Sequence, residues 1–132
     1  MNSCVIELPY PPSANAMYRA VGGRVLMSEQ GRRYVTAMQI VVTRYRRNNP
    51  IEGVMPASFG SARLEVLFEV YPPDNKKRDL GNLDKALCDS LTKAGVWDDD
   101  SQIDDLRFLR IKGHPFVNGG MIIANISVIT SP

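Results

Sequence analysis

With 132 residues, 44% of them apolar, the chain is sized for a single folded domain over 1–132 and is too apolar for a disordered one. No run approaches the roughly 18 apolar residues of a membrane span, and the opening MNSCVIELPYPPS lacks the basic-then-apolar order of a secretory signal, so a cytoplasmic protein with no membrane partner is expected. Net charge is only +2 but unevenly spread: residues 1–50 carry seven Arg against Glu7 and Glu29, while 72–112 carry eight Lys or Arg against nine Asp. That distribution fits a polyanion held near carboxylates, and equally a solvated Arg-rich helix face.

In chain order, SCVIELPY predicts a short strand halted by Pro11 and Pro12, and PYPPSANAMYR a turn-rich loop. YRAVGGRVLMS predicts a hairpin turning at Gly22-Gly23. Ser28 is placed to cap a helix running to about Arg47, whose apolar positions Tyr34, Val35, Met38, Val41, Val42 and Tyr45 recur at helical spacing. Gly31, in its first turn, counts slightly against it. NNPIEGVMPASFGS reads as a mobile loop. ARLEVLFEVYP alternates as a half-buried strand, with Leu64, Val66, Phe68 and Val70 on one face. NLDKALCDSLTKAG predicts a helix capped by Asn82 and stopped at Gly95. The acidic loop VWDDDSQID follows, then strands at DLRFLRIKG and MIIANISVIT; the latter is expected to be central, and the two are expected to pair as an antiparallel hairpin through KGHPFVNGG. The order of elements predicts an α+β fold: a two-layer domain with one mixed β-sheet packed against two helices.

The chemistry concentrates in KKRDLGNLDKALCDSL, residues 76–91. Asp79 stands behind Lys76, Lys77 and Arg78 and just before a helix, and Asp98, Asp99 and Asp100 follow that helix. A chain returning from the helix's far end could bring Asp100 beside Asp79. Mg²⁺ takes hard oxygen ligands, usually one or two carboxylates plus waters and substrate phosphates. So held, it activates water and stabilises phosphoryl charge. Lys76, Lys77, Arg78 and Lys85 would then grip the phosphate backbone. The plainer readings are a turn residue at 79, a solvated acidic loop at 98–100, and a surface pair between Lys85 and Asp89. Trp97 reads as a core or lid contact with base stacking conceivable, His114 as a surface-loop residue, and Cys4 and Cys88 as buried thiols. Tyr10, Asn15 and Tyr18 either line a cleft or fix their loop.

Together LPYPPSANAMYR and RDLGNLDKALCDSLTKAGVWDDDSQIDDLR resemble the RusA family of Holliday-junction resolvases, collinearly and over nearly the whole chain. The second stretch carries the specific pattern: Asp-Leu-x-Asn, a Lys three residues on, an Ala-Gly-x-Trp helix exit and an Asp-Asp-x-Gln-Ile loop. The resemblance implies a homodimer that binds four-way DNA junctions and makes paired, symmetric nicks with Mg²⁺ or Mn²⁺. By position it implies Asp79 and Asp100 as catalytic metal ligands and Lys85 as a lysine of the active site. Asp100 is preferred to Asp99 because it lies three residues past Trp97.

One departure falls on the chemistry. The family pattern reads Asp-Leu-Asp-Asn, and this chain reads DLGN, with Gly81 where a second acid belongs. Either cleavage is impaired while junction binding survives, or Asp84, Asp98 or Asp99 compensates, or the glycine is a lesion in an active lineage. Gly81 could also merely serve the turn. The rival functions are a junction-binding protein that does not cut, with the Arg-rich helix (Arg32, Arg33, Arg44, Arg46, Arg47) as a further surface, and a metal-dependent enzyme acting on small phosphate esters.

Overall fold

Alternation along the strands sets the layers, as seen in a computed structural model that describes residues 3–48, 58–112 and 118–130. Strand β1 (Ser3–Pro9) buries Cys4, Ile6 and Leu8 and turns Val5 and Glu7 outward. Strand β4 (Leu64–Tyr71) buries Leu64, Val66, Phe68 and Val70, as its period of two requires. Strands β5 (Ile103–Arg110) and β6 (Met121–Val128) complete a four-stranded mixed sheet in the order β1-β6-β4-β5. Strand β6 runs antiparallel to both neighbours, and β4 and β5 are parallel. The fold is therefore α+β, with β6 central as expected.

The predicted hairpin of the last two strands does not form: β4 lies between β5 and β6. Composition gives the reason. In β6, Ile122, Ala124 and Ile126 are buried and every other residue is at least half-covered, which suits a strand with two neighbours. Strand β5 carries Asp104, Asp105, Arg107 and Arg110, charges that suit an edge. The crossover that returns the chain parallel to β4 puts β5 on that edge.

Helix α2 (Glu29–Asn48) begins at Ser28, whose Oγ accepts from the Gly31 N–H at 3.0 Å and donates to the Ala16 carbonyl. Gly31 is required by close approach: a Cβ there would strike the Met17 carbonyl oxygen and lie 2.7 Å from Met27 Cγ. The hydroxyl of Tyr34 donates to the Pro9 carbonyl at 2.7 Å and ties α2 to the end of β1. Within the proline-rich loop a four-residue helix, α1 (Ala14–Met17), forms on the Ser13 cap, where only irregular backbone is predicted. Strands β2 (Tyr18–Val21) and β3 (Arg24–Met27) make the predicted hairpin as a separate two-stranded ribbon, with Gly22 and Gly23 both at positive φ.

Asn82 is not the cap of the next helix. A 3-10 turn (Leu80–Leu83) precedes α3 (Asp84–Lys93), Asp79 occupies the cap position of that turn, and Asn82 lies within it. Leu83, Leu87 and Leu91 face the core together with Val96 and Trp97. Trp97 is fully buried and its Nε1–H donates to Thr92 Oγ1 at 2.7 Å, so it is a core residue and no stacking platform. Cys4 and Cys88 are buried free thiols. Residues 49–57, most of the predicted mobile loop, and His114 lie outside the described residues. None of the described helices is long and apolar enough to cross a membrane.

Candidate active site

The site is built at the carboxyl end of the parallel pair β4–β5, where ligands of open mixed sheets commonly sit. Pro72 and Pro73 end β4, and residues 74–79 then line a cavity together with Val70 and Arg110. Asp74 folds this loop by accepting from the Lys76 N–H at 2.9 Å and by pairing with the Arg78 guanidinium. The Arg78 hydrogen bonds, with help from Lys76, hold the Asp74 carboxyl down at about 2. Arg110, the last residue of β5, donates to the Arg78 carbonyl, so the loop is pinned one residue before Asp79.

Asp79 is exposed and its side chain makes no cap hydrogen bond. It lines two adjoining cavities, as do Tyr10, Lys77 and Arg78. One cavity, of about 340 Å³, continues to Lys76, Arg110 and Lys112; the other, of about 670 Å³, continues to Asn15 and Asn82. Tyr10 and Asn15 thus line a cleft, the first of the two roles open to them. Arg110 and Lys112 belong to the cleft and were missed from sequence, because their distance from Asp79 along the chain hides a contact made by strand pairing.

Asp100 stands at the amino end of β5, in a 3-10 turn (Asp100–Gln102), and is not brought into either cavity lined by Asp79. Asp99 caps this turn, its carboxylate accepting from the Ser101 N–H at 2.9 Å, and that bond holds its carboxyl below the usual range. Asp100 is exposed and its carboxylate has no hydrogen-bond or ion-pair partner among the described residues. Buried Gln102 fixes the loop. Its Oε1 accepts from the Asp98 and Asp99 N–H groups at 3.0 and 2.9 Å, and its Nε2 donates to the Gly60 and Ala62 carbonyls at 2.8 and 2.6 Å. The Gln of the Asp-Asp-x-Gln-Ile pattern was the available signal for this role.

Helix α3 carries the groups between these ends. The Cys88 thiol donates to Asp84 Oδ1 at 3.2 Å. Burial first, then Asp84, then the charges of Asp100 and Asp89 push that thiol far up, so Asp84, Asp89 and Asp100 all act on one buried point. The Lys85 ammonium lies 4.4 Å from the centre of the Tyr18 ring, and the Tyr18 hydroxyl donates to Asp89 at 3.1 Å. Neither cavity lined by Asp79 reaches Asp100, and the described residues contain no group of three His, Cys, Asp or Glu at metal-holding spacing. Exposed carboxylates without thiol or imidazole fit the donor chemistry of a hard cation completed by substrate oxygens.

Gly81 is not there for the turn. Its φ lies outside the left-handed region, and a Cβ built on it meets nothing within 4 Å. Position 81 is exposed, with open space where a side chain would begin.

A model of the endodeoxyribonuclease RusA family matches residues 9–118. The chain belongs to the RusA family. It is 38% identical over 128 residues to the crossover junction endodeoxyribonuclease RusA of Shigella sonnei (strain Ss046), covering 96% of each chain. The enzyme of the same name from Escherichia coli (strain K12) is 35% identical over 127 residues, again covering 96% of each. That of Enterobacteria phage HK97 is 34% identical over 110 residues, covering 83% of this chain and 84% of the phage protein.

In this RusA-family chain the arginines of α2 line neither cavity beside Asp79. Arg33 pairs with Glu29, Arg32 donates to the Met27 carbonyl and Arg46 to the Gly95 carbonyl. Arg44 and Arg47 line a shallow depression on α2.

Proposed function

We propose that this chain is a crossover junction endodeoxyribonuclease: one domain over 1–132 that hydrolyses phosphodiesters at four-way DNA junctions and works as a homodimer in the cytoplasm. Family membership at 38% identity across 96% of the chain is the observation that carries this reading. Two-fold symmetry suits a substrate with two equivalent strands to cut.

Asp79 and Asp100 are the proposed ligands for Mg²⁺, with Mn²⁺ as substitute. Such an ion, when bound, supplies Lewis-acid stabilisation and activation of water. The chain's own groups do the rest. Asp79 presents a carboxylate without a cap bond at the cleft, on a loop held by Asp74–Arg78 and by Arg110. Gln102 holds the Asp100 loop through four hydrogen bonds. Lys85, a proposed catalytic residue, leaves the Tyr18 ring for the phosphate, a stronger partner for an ammonium than an aromatic face. Lys76, Lys77 and Arg78 are the proposed backbone contacts; Arg78 reaches phosphate only with the part of its guanidinium that Asp74 leaves free.

The open space at Gly81 favours one second reading: a junction-binding member whose cleavage is weak for want of one acid. Asp84, which opens α3 five residues after Asp79, is the first candidate to compensate.

Nicking of a synthetic four-way junction and a matched duplex, in Mg²⁺ and in Mn²⁺, tests both. Asp79→Asn is expected to abolish cutting. Gly81→Asp is expected to raise it roughly tenfold or more, since even indirect partners of a metal are worth 10–100-fold. A parent protein that cuts neither substrate while Gly81→Asp cuts junctions establishes the weak-cleavage reading. Equal treatment of junction and duplex, or turnover of small phosphate esters instead, overturns the proposal.

A further inference from the structure

The charge in the 340 Å³ cavity is not used up by the protein. Arg78 is neutralised by Asp74, whose carboxyl is held at about 2 and stays ionised across neutral pH. Arg110 bonds a carbonyl and has no ion-pair partner among the described residues. Lys76, Lys77 and Lys112 have no ion-pair partner among the described residues. Four cations therefore face one free carboxylate, Asp79, over a floor that includes Val70, Leu83 and Ile111. An apolar wall strengthens the field of charges set above it. Arg110 and Lys112 lie at the end of β5, reached through strand pairing and not through the helix that carries Lys85.

We propose that Arg110 and Lys112 form a seat for the DNA backbone beside the phosphodiester being cut, on the β5 side of Asp79. This rests on the junction-nuclease reading and adds two contacts to it. A strand crossing Asp79 would be held from the helix by Lys85 and from the sheet end by Arg110 and Lys112. Arg110 is also a positioning residue, because its bond to the Arg78 carbonyl sets the loop carrying Asp79.

The test is binding of the full chain to a four-way junction and to matched duplex, in metal-free buffer so that nothing is cut, across a salt titration. Each phosphate contact contributes about one unit to the slope of log affinity against log salt. Lys112→Gln and Arg110→Gln are each expected to lower the junction slope by about one, with Arg110→Lys restoring it. A purely structural role would move the melting temperature and leave the slope alone. Should Arg110→Gln unfold the protein, the slope measured for Lys112→Gln, a change at an exposed position, decides by itself. Junction preference with unchanged slopes overturns the seat alone; equal affinity of the parent protein for junction and duplex overturns the nuclease reading and the seat with it.

Discussion

Gly81 and Gln102 show how differently two residues of one family pattern can act. A Cβ at position 81 would touch nothing, and the backbone there has no need of glycine, so Gly81→Asp is expected to leave the melting temperature unchanged while altering cleavage. Gln102 lines neither cavity beside Asp79, yet its side chain makes four hydrogen bonds in a buried setting. Gln102→Ala strands the Asp99 N–H and the Ala62 carbonyl, each costing about 1 kcal/mol or more when left unpaired, while the Asp98 N–H and the Gly60 carbonyl keep their bond to each other at 3.1 Å. A loss of about 2–4 kcal/mol in urea unfolding is expected; a loss below about 1 kcal/mol would show that the Asp98–Asp100 loop does not depend on it. Both readings needed coordinates: in the sequence Gln102 is one polar residue in an acidic run, and Gly81 could equally have been a turn glycine.

Elements place these residues by crossing one another closely. Helix α2 starts against the end of α1, and the absence of a side chain at Gly31 permits the contact. By helix propensity Gly31→Ala should stabilise α2 by roughly 1 kcal/mol. Here the clash is with backbone, which cannot swing aside, so a net loss of about 1–3 kcal/mol is expected in the same urea assay, and a gain would show that α1 yields. The crossover from β4 through α3 to β5 has a larger consequence. Because β5 returns parallel, Arg110 and Lys112 finish beside the loop that follows β4.

For the whole molecule, the helices cover one face of the sheet and leave the other partly open, with Val5 56% and Leu109 50% exposed. Those residues are too few and too scattered to define an interface. The proposed homodimer is tested directly by sedimentation equilibrium, where twice the 14.7 kDa of one chain is expected. A monomer at micromolar concentration would mean that two chains meet only on the junction.

The α+β class, the family, the strand at β1, the buried face of β4, the hairpin at Gly22-Gly23 and the span of α2 are legible in the sequence, because alternation, helical spacing, turn chemistry and motif order are local and survive in one dimension. It also exposed Gly81 as a departure. It takes the three-dimensional fold to show that β4 separates β5 from β6, that Arg110 holds the Asp79 loop, that Gln102 holds the Asp100 loop, and that position 81 has room for a Cβ. Each of these is a contact, or an absence of contact, between residues distant along the chain or on separate elements, and periodicity carries no record of which elements become neighbours.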